Sequence, residues 1–368
     1  MEINTDGFFQ PVISNNNKCV ECGRCLNVCP LNSKDKEKGK RENSYNGYAS
    51  WSRDLSVRHK SSSGGTGFEV ARYLLNKGYK IIGVRYNAVK ERAEHYVATR
   101  ESELIPSMGS KYIQSYTDDA FPIIKKGEKY LITGTPCQIA GLRRFVRSRC
   151  MENDVILMDF FCHGVPSLNM WHKYTAEAEQ IVGKITYASW RNKNSGWHDS
   201  WVMDIDGVET GDCLVDINES YEMIMGEKKP YITKKRSDGD IFYKFFLGDM
   251  CFNRSCYKNC RFKMLESDAD IRIGDLWGTK YAENDLGVTG VISFTTLGKE
   301  VLFHSNIELI PETIDVVTEG QMSENPKLPY YYNLLMRLFH TSLKLKTIYR
   351  IVQLMRFGSI LKYKLHLI

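Results

Sequence analysis

Apolar and polar positions along the chain fall into two recurring patterns. Short apolar runs of strand length occur at Tyr79–Tyr86 (YKIIGVRY), Lys129–Thr133 (KYLIT) and Val155–Phe161 (VILMDFF), with a further strand-like stretch at Ser200–Ile205. Between and around them, Thr66–Asn76, Gln138–Val146, Leu168–Gln180 and Ile241–Leu247 have the apolar spacing of helices. This alternation, from about Tyr48 to Thr279, predicts an α/β core around a mixed sheet. Gly290–Thr296 adds a short strand, and the chain ends in a helical, basic stretch. The expected organisation is a cysteine-rich unit at 1–31, a polar Lys-rich connector at 32–47, the core at 48–280 and an extension of it at 281–368. The fold class is thus α/β, with a small ferredoxin-like half-domain in front and a helical end.

Composition narrows the picture. At 368 residues with 26% charged and 42% apolar side chains, the chain has the make-up of an ordinary globular protein of two or three domains. No apolar run reaches the length of a membrane span, and no secretory signal follows Met1, so a cytoplasmic location is expected. The eleven cysteines then point to metal ligation in a reducing compartment, not to a disulfide framework. The net charge of +6 is concentrated at one end. Eight Lys and Arg residues follow Glu324 without an acidic neighbour; without them 42 basic residues face 44 acidic ones. Such a body offers no footprint for nucleic acid. The tail (LKLKTIYRIVQLMRFGSILKYKLHLI) reads either as a helix for an anionic membrane or partner surface, or as one packed on its own core.

The strongest chemical signal is C-V-E-C-G-R-C-L-N-V-C-P, with Cys19, Cys22, Cys25 and Cys29 before Pro30. Its spacing is that of the bacterial ferredoxin run, which wraps a [4Fe–4S] cluster. Zinc sites pair distant CxxC units or add His, and no His lies nearby. In two-cluster ferredoxins the fourth Cys of such a run serves the other cluster, but this chain has one run. The preceding Asp6–Ile13 resembles the linker that joins a first run to a second. Either Cys29 closes the cluster itself, or an upstream motif is missing.

Further cysteines are dispersed. Cys137 opens a helix directly after a strand (GTPCQIAGL), where N–H groups and the helix dipole favour a thiolate. Cys162 ends the next strand (DFFCHG), and Cys251, Cys256 and Cys260 cluster in MCFNRSCYKNC. If the strands are parallel neighbours, Cys137 and Cys162 emerge on one carboxyl-end rim, where α/β proteins bind ligands. Ser61–Gly67 (SSSGGTG), including Ser62, Ser63, Gly64, Gly65 and Thr66, precedes a helix and reads as a phosphate cradle or a flexible loop. Ser110, Lys111 and Tyr112 could add hydroxyls and a cation to the same phosphate. His163, beside Cys162, reads as a proton donor or as a structural hydrogen-bonding residue. Arg191, Lys193, Gly196 and Trp197 form a basic-aromatic loop suited to an acidic substrate.

Six segments in order, SSSGGTGF (61–68), GSKYIQS (109–115), TGTPCQIAGL (133–142), DFFCHGVPS (159–167), RNKNSGW (191–197) and DADIRIGDLWG (268–278), resemble the coenzyme F420 hydrogenase/dehydrogenase beta-subunit family over about residues 48–310. The closest look is to a bacterial branch with a ferredoxin domain in front. The resemblance implies an FAD-dependent iron–sulfur oxidoreductase. Ser62 to Thr66 and Ser110 to Tyr112, with Thr135, would hold FAD, and Cys137, Cys162, Cys256 and Cys260 a second [4Fe–4S] cluster. The family's last pair is spaced CxxC, whereas Cys256 and Cys260 are three residues apart, which keeps Cys251 as a substitute. No residue demands coenzyme F420 itself. The implied activity is a relay from a ferredoxin-like donor through the clusters to FAD and a small-molecule substrate, with His163 as its candidate acid. The alternative is a non-catalytic electron-transfer subunit of a larger redox complex.

Overall fold

The computed structural model describes residues 1–13, 19–32, 45–208, 223–225, 229–258 and 260–364, with 357–364 as backbone only. Most of the Lys-rich connector, and Cys213, lie outside these residues.

Four parallel strands form the centre of a nine-stranded mixed sheet. They are β4 (Lys80–Asn87), β7 (Tyr130–Thr133), β8 (Val155–Phe160) and β12 (Ile271–Asp275). On one side β4 pairs antiparallel with β5 (Arg92–Ala98), which carries the two-residue β6 (Ser115–Tyr116). On the other side β12 is followed by antiparallel β13 (Thr289–Ser293), β3 (Asn46–Ser52) and β14 (Ile307–Glu312). β3 begins two residues inside the connector expected at 32–47, and β14 ties the C-terminal extension into the same sheet.

Strand residues alternate between two covered faces, as the pleat requires. Leu131, Ile156 and Ile271 pack under α3 (Thr66–Asn76) and α8 (Thr296–His304). Tyr130, Ile132, Val155 and Leu157 face α4 (Pro136–Ser148). A second body stands beside this sheet. Its three antiparallel strands β9 (Lys184–Ser189), β10 (Val202–Val208) and β11 (Ile232–Lys235) share a large aromatic core with α5 (Leu168–Val182) and α6 (Ile241–Phe246).

Both ends of the chain are docked on this second body. β1 (Glu2–Ile3) pairs with β2 (Phe9–Gln10), Phe8 and Phe9 are buried, and the start of α5 is bound by this arm: Leu168 N–H donates to Gly7 O and Ser167 Oγ donates to Asp6 O. His340 Nε2 reaches Thr5 O at 2.8 Å. Thus within Asp6–Gln10, read from sequence as part of a linker between cysteine runs, Gly7, Phe8 and Phe9 are core packing. The last helix, α11 (Leu345–Lys364), buries Leu345, Ile348 and Val352 in the same core. Over its first turns the apolar stripe is thus spent on the protein itself, while Leu354 stays exposed. Among the described residues no helix is long and apolar enough to cross a membrane.

Candidate redox site

The carboxyl ends of β4, β7, β8 and β12 open on one cavity of about 480 Å³. Cys137 follows β7 and Cys162 follows β8, so the parallel pairing places both on the rim anticipated from sequence. Cys256, in the short α7 (Arg254–Lys258), and Cys260 reach the same region from the other body. Each of Cys137, Cys162, Cys256 and Cys260 is close enough to feel the charge of the other three. Burial pushes the Cys137, Cys162 and Cys256 thiols up, that of Cys256 to about 12, and the neighbouring thiols push the same way. Four sulfurs gathered here, three of them kept from ionising alone by burial, suit a positively charged iron core that would take them as thiolates. Among the described residues no three His, Cys, Asp or Glu side chains stand close enough to hold a single metal ion.

Cys251 lies apart from this quartet. It is buried in the aromatic core and burial raises its thiol to about 12; the groups that feel its charge are Tyr257, Tyr331 and Tyr332. In the N-terminal unit, Cys19, Cys22 and Cys25 are exposed and Cys29 is half-buried. Cys25 lies within α1 (Arg24–Val28), which Gly23 opens and Cys29 closes, and Cys19 and Cys22 precede it.

Two buried ion pairs hold the cysteine-bearing segments against the sheet. Arg272 on β12 makes bonds of 2.8 Å to both oxygens of Asp159 on β8, with neither side chain exposed. It also donates to Met264 O and Glu266 O, fixing the turn that follows Cys260. Asp270 accepts from Arg143 of α4 and from Leu157 N, which locks the helix of Cys137 onto β8. The DADIRIGD segment therefore acts as a brace between the strands and the thiol-bearing loops.

The serine-glycine loop lines the same cavity. It connects α2 (Leu55–Lys60) to α3 and lies directly on β3 and β13. Ser52 N–H donates to Gly64 O at 2.7 Å and Gly64 N–H to Thr289 Oγ1 at 2.9 Å. A Cβ at Gly64 would overlap the Ser50 carbonyl, so only glycine permits this approach. Ser110 N–H and Oγ both meet Ser62 Oγ, at 2.8 and 3.1 Å, which joins two of the segments picked out by sequence. Thr135 lies on the opposite wall, 3.2 Å from Cys137 Sγ.

The basic side chains around this loop face inward. Arg191 pairs with Asp275 at 3.0 Å and donates to Tyr112 Oη and Ser62 O. Lys193 Nζ donates to the carbonyls of Ser63, Arg58 and Leu286, while Trp197 is buried against Asp275. These residues brace the loop and are not a free clamp. Lys111 Nζ is held by the carbonyls of Pro106, Met108 and Gly109. Burial pulls the ammonium groups of Lys111 and Lys193 down to about 7. A bound anion would offset that desolvation, so the surroundings of the loop fit a phosphate-bearing ligand.

His163 lines the cavity between Phe246 and Phe252, with Nε2 2.8 Å from Asp249 Oδ1. Three cavity residues escape a sequence reading. Lys263 donates to Cys162 O and His163 O; Trp201 stacks on Tyr112; Gln138 accepts from Thr135 N–H and donates to Ser115 Oγ. Lys263 had a signal, since it follows Cys260 closely, but Trp201 comes from the other body and had none.

Thiols gathered on the carboxyl rim of an α/β sheet, around a deep cavity, are the layout of a redox protein. The family profile for the C terminus of the coenzyme F420 hydrogenase/dehydrogenase beta subunit matches residues 127–314, just over half of the chain. The chain belongs to that family, which places it among oxidoreductases and their subunits. Among solved structures it is similar to a chain of the xenon-derivatized F420-reducing [NiFe] hydrogenase complex from Methanosarcina barkeri. The identity is 15% and the TM-score 0.46, over 84% of this chain and 91% of that one. No curated protein matches.

Proposed function

We propose that the protein is an iron–sulfur flavoprotein that carries electrons from a ferredoxin-like donor to a small-molecule substrate. The supporting observation is the convergence of Ser62–Thr66, Ser110, Tyr112 and Thr135 on a cavity that also receives Cys162. In this reading Cys137, Cys162, Cys256 and Cys260 hold a [4Fe–4S] cluster, Cys19, Cys22, Cys25 and Cys29 hold another, and the serine loop holds the diphosphate of FAD. Those groups supply one-electron carriage and a one-to-two-electron exchange. The chain's own residues do the rest: Ser62 and Ser110 seat the anion, Lys111 and Lys193 lend positive charge from behind the loop, the Asp159–Arg272 and Arg143–Asp270 pairs fix the thiols, and His163, oriented by Asp249, presents a proton at the cavity wall. Val20, Leu26 and Leu31 stand exposed near the N-terminal thiols, an apolar rim for the donor.

Anaerobic reconstitution with iron, sulfide and FAD, followed by visible and EPR spectroscopy, tests this. Folded protein that takes up iron but no flavin would overturn the flavin part. The family's description as a beta subunit supports a second reading, a carrier whose partner holds the substrate. Reduction of a small molecule by the isolated, reconstituted chain would exclude that reading.

A further inference from the structure

The Gly141 position in the CQIAGL segment has no role in the cavity, yet the structure gives it one. Cys137, Gly141 and Arg144 are spaced i, i+4 and i+7 on α4, and so lie on one stripe. The N-terminal cysteine unit is seated on that stripe. Arg144 Nη1 donates to Cys29 O at 2.8 Å, and α1 packs on α4. A Cβ added at Gly141 would lie 3.3 Å from Val28 O and 3.5 Å from Pro30 Cδ. Glycine therefore lets the backbone that ends the cysteine run rest on the helix surface. At 1.5 Å per residue, Gly141 is about 6 Å and Arg144 about 10 Å along the axis from Cys137.

Resting on the two-cluster reading above, we propose that this stripe of α4 is the electron-transfer junction of the protein. Arg144 and Gly141 are positioning residues: they hold the Cys29 end of one cluster site within two helical turns of Cys137, a ligand of the other. The step is the passage of one electron, by which the N-terminal cluster is oxidised and the core cluster reduced. No bond forms or breaks and no proton moves. The arrangement also gives Cys29 a reason to be a ligand of this chain's own cluster, since its backbone is held on α4 by Arg144.

The test uses the full chain, reconstituted anaerobically and reduced with dithionite. Wild type is expected to carry two cubanes, roughly eight irons. Its EPR spectrum is expected to show spin–spin broadening and fast relaxation from two reduced clusters in contact range. Gly141→Trp cannot seat the Val28–Pro30 backbone, and Arg144→Gln removes its anchor. In both variants iron content and each cluster's integrated signal should persist while the interaction broadening is lost. Flavin reduction through the N-terminal cluster should slow in step. Unchanged broadening in Gly141→Trp, with both clusters loaded, would overturn the junction and leave the cluster assignment standing. Wild type that binds iron at one site only would overturn the two-cluster reading, and the junction with it. Arg144→Gln, which keeps Gly141, guards against a tryptophan variant that fails to fold.

Discussion

Replacing Arg272 by methionine would leave the Asp159 carboxylate buried without its counter-ion. Both partners are 0% exposed, and the guanidinium makes two 2.8 Å bonds to the carboxylate. Ser267 Oγ, at 2.6 Å, is the other donor that Asp159 would keep. Breaking one side of such a buried pair destabilises by about 3–5 kcal/mol, against a total of about 5–15 kcal/mol for a folded domain. The same substitution strips a donor from Met264 O and Glu266 O, so the turn after Cys260 should loosen as well. Urea denaturation of the metal-free chain should therefore show a midpoint reduced by about a fifth or more. Iron uptake at the core quartet should fall more than uptake at the N-terminal run. Asp159→Leu combined with Arg272→Met should recover only part of the loss, because the carbonyls stay unpaired. A loss below about 1 kcal/mol for Arg272→Met would refute the brace.

Cysteine substitutions should separate the quartet from its neighbour. Cys256→Ser is expected to lower iron content by about one cubane, whereas Cys251→Ser should leave iron unchanged; iron and sulfide analysis decides between them. The lysines around the serine loop give a pH signature. Lys111 and Lys193 titrate near 7 when folded against an ordinary 10.5, so between those values the unfolded chain binds more protons and stability should rise with pH. The rise is about 1.4 kcal/mol per pH unit for each lysine across that window, and Lys193→Met should remove its share of the slope in denaturation curves. Ile348→Ala in α11 should cost about 2–5 kcal/mol, since Ile348 is fully buried in the second body; thermal unfolding checks this.

How far the sequence could be read depended on where charge was hidden. β7 and β8 are apolar but for Thr133 and Asp159, and α3 was legible to the residue because Gly65 and the buried Phe68, Ala71 and Leu74 mark its start and face. β5 was not recognised, as its Arg92, Glu94 and His95 look solvated. In the fold Glu94 is buried, and Arg85, Asn87 and Arg92 satisfy it. β14 carries Pro311, which only an edge strand tolerates, and it is the edge of the sheet. Cys137 and Cys162 were legible from their place after strands, whereas Cys256 and Cys260 follow no strand and were pointed to only by the family resemblance. The roles of Arg191 and Lys193 were not, because no local pattern tells whether a cation faces a ligand or the chain's own carbonyls.

The arm at Asp6–Gln10, pinned under α5 and His340, changes the mechanics of the cysteine-rich unit. A ferredoxin fused at one end swings on a single tether and samples a wide volume. Here the chain between Phe9 and Asn46 is fastened at both ends, one in the aromatic core and one in β3. Two anchors, in place of one, limit how far it can stray. Its local concentration at the α4 seat stays high even when the Arg144 contact opens, and rebinding needs no long search. In the proposed relay an external donor would therefore meet a unit tied at both ends, with Val20 and Leu26 turned outward.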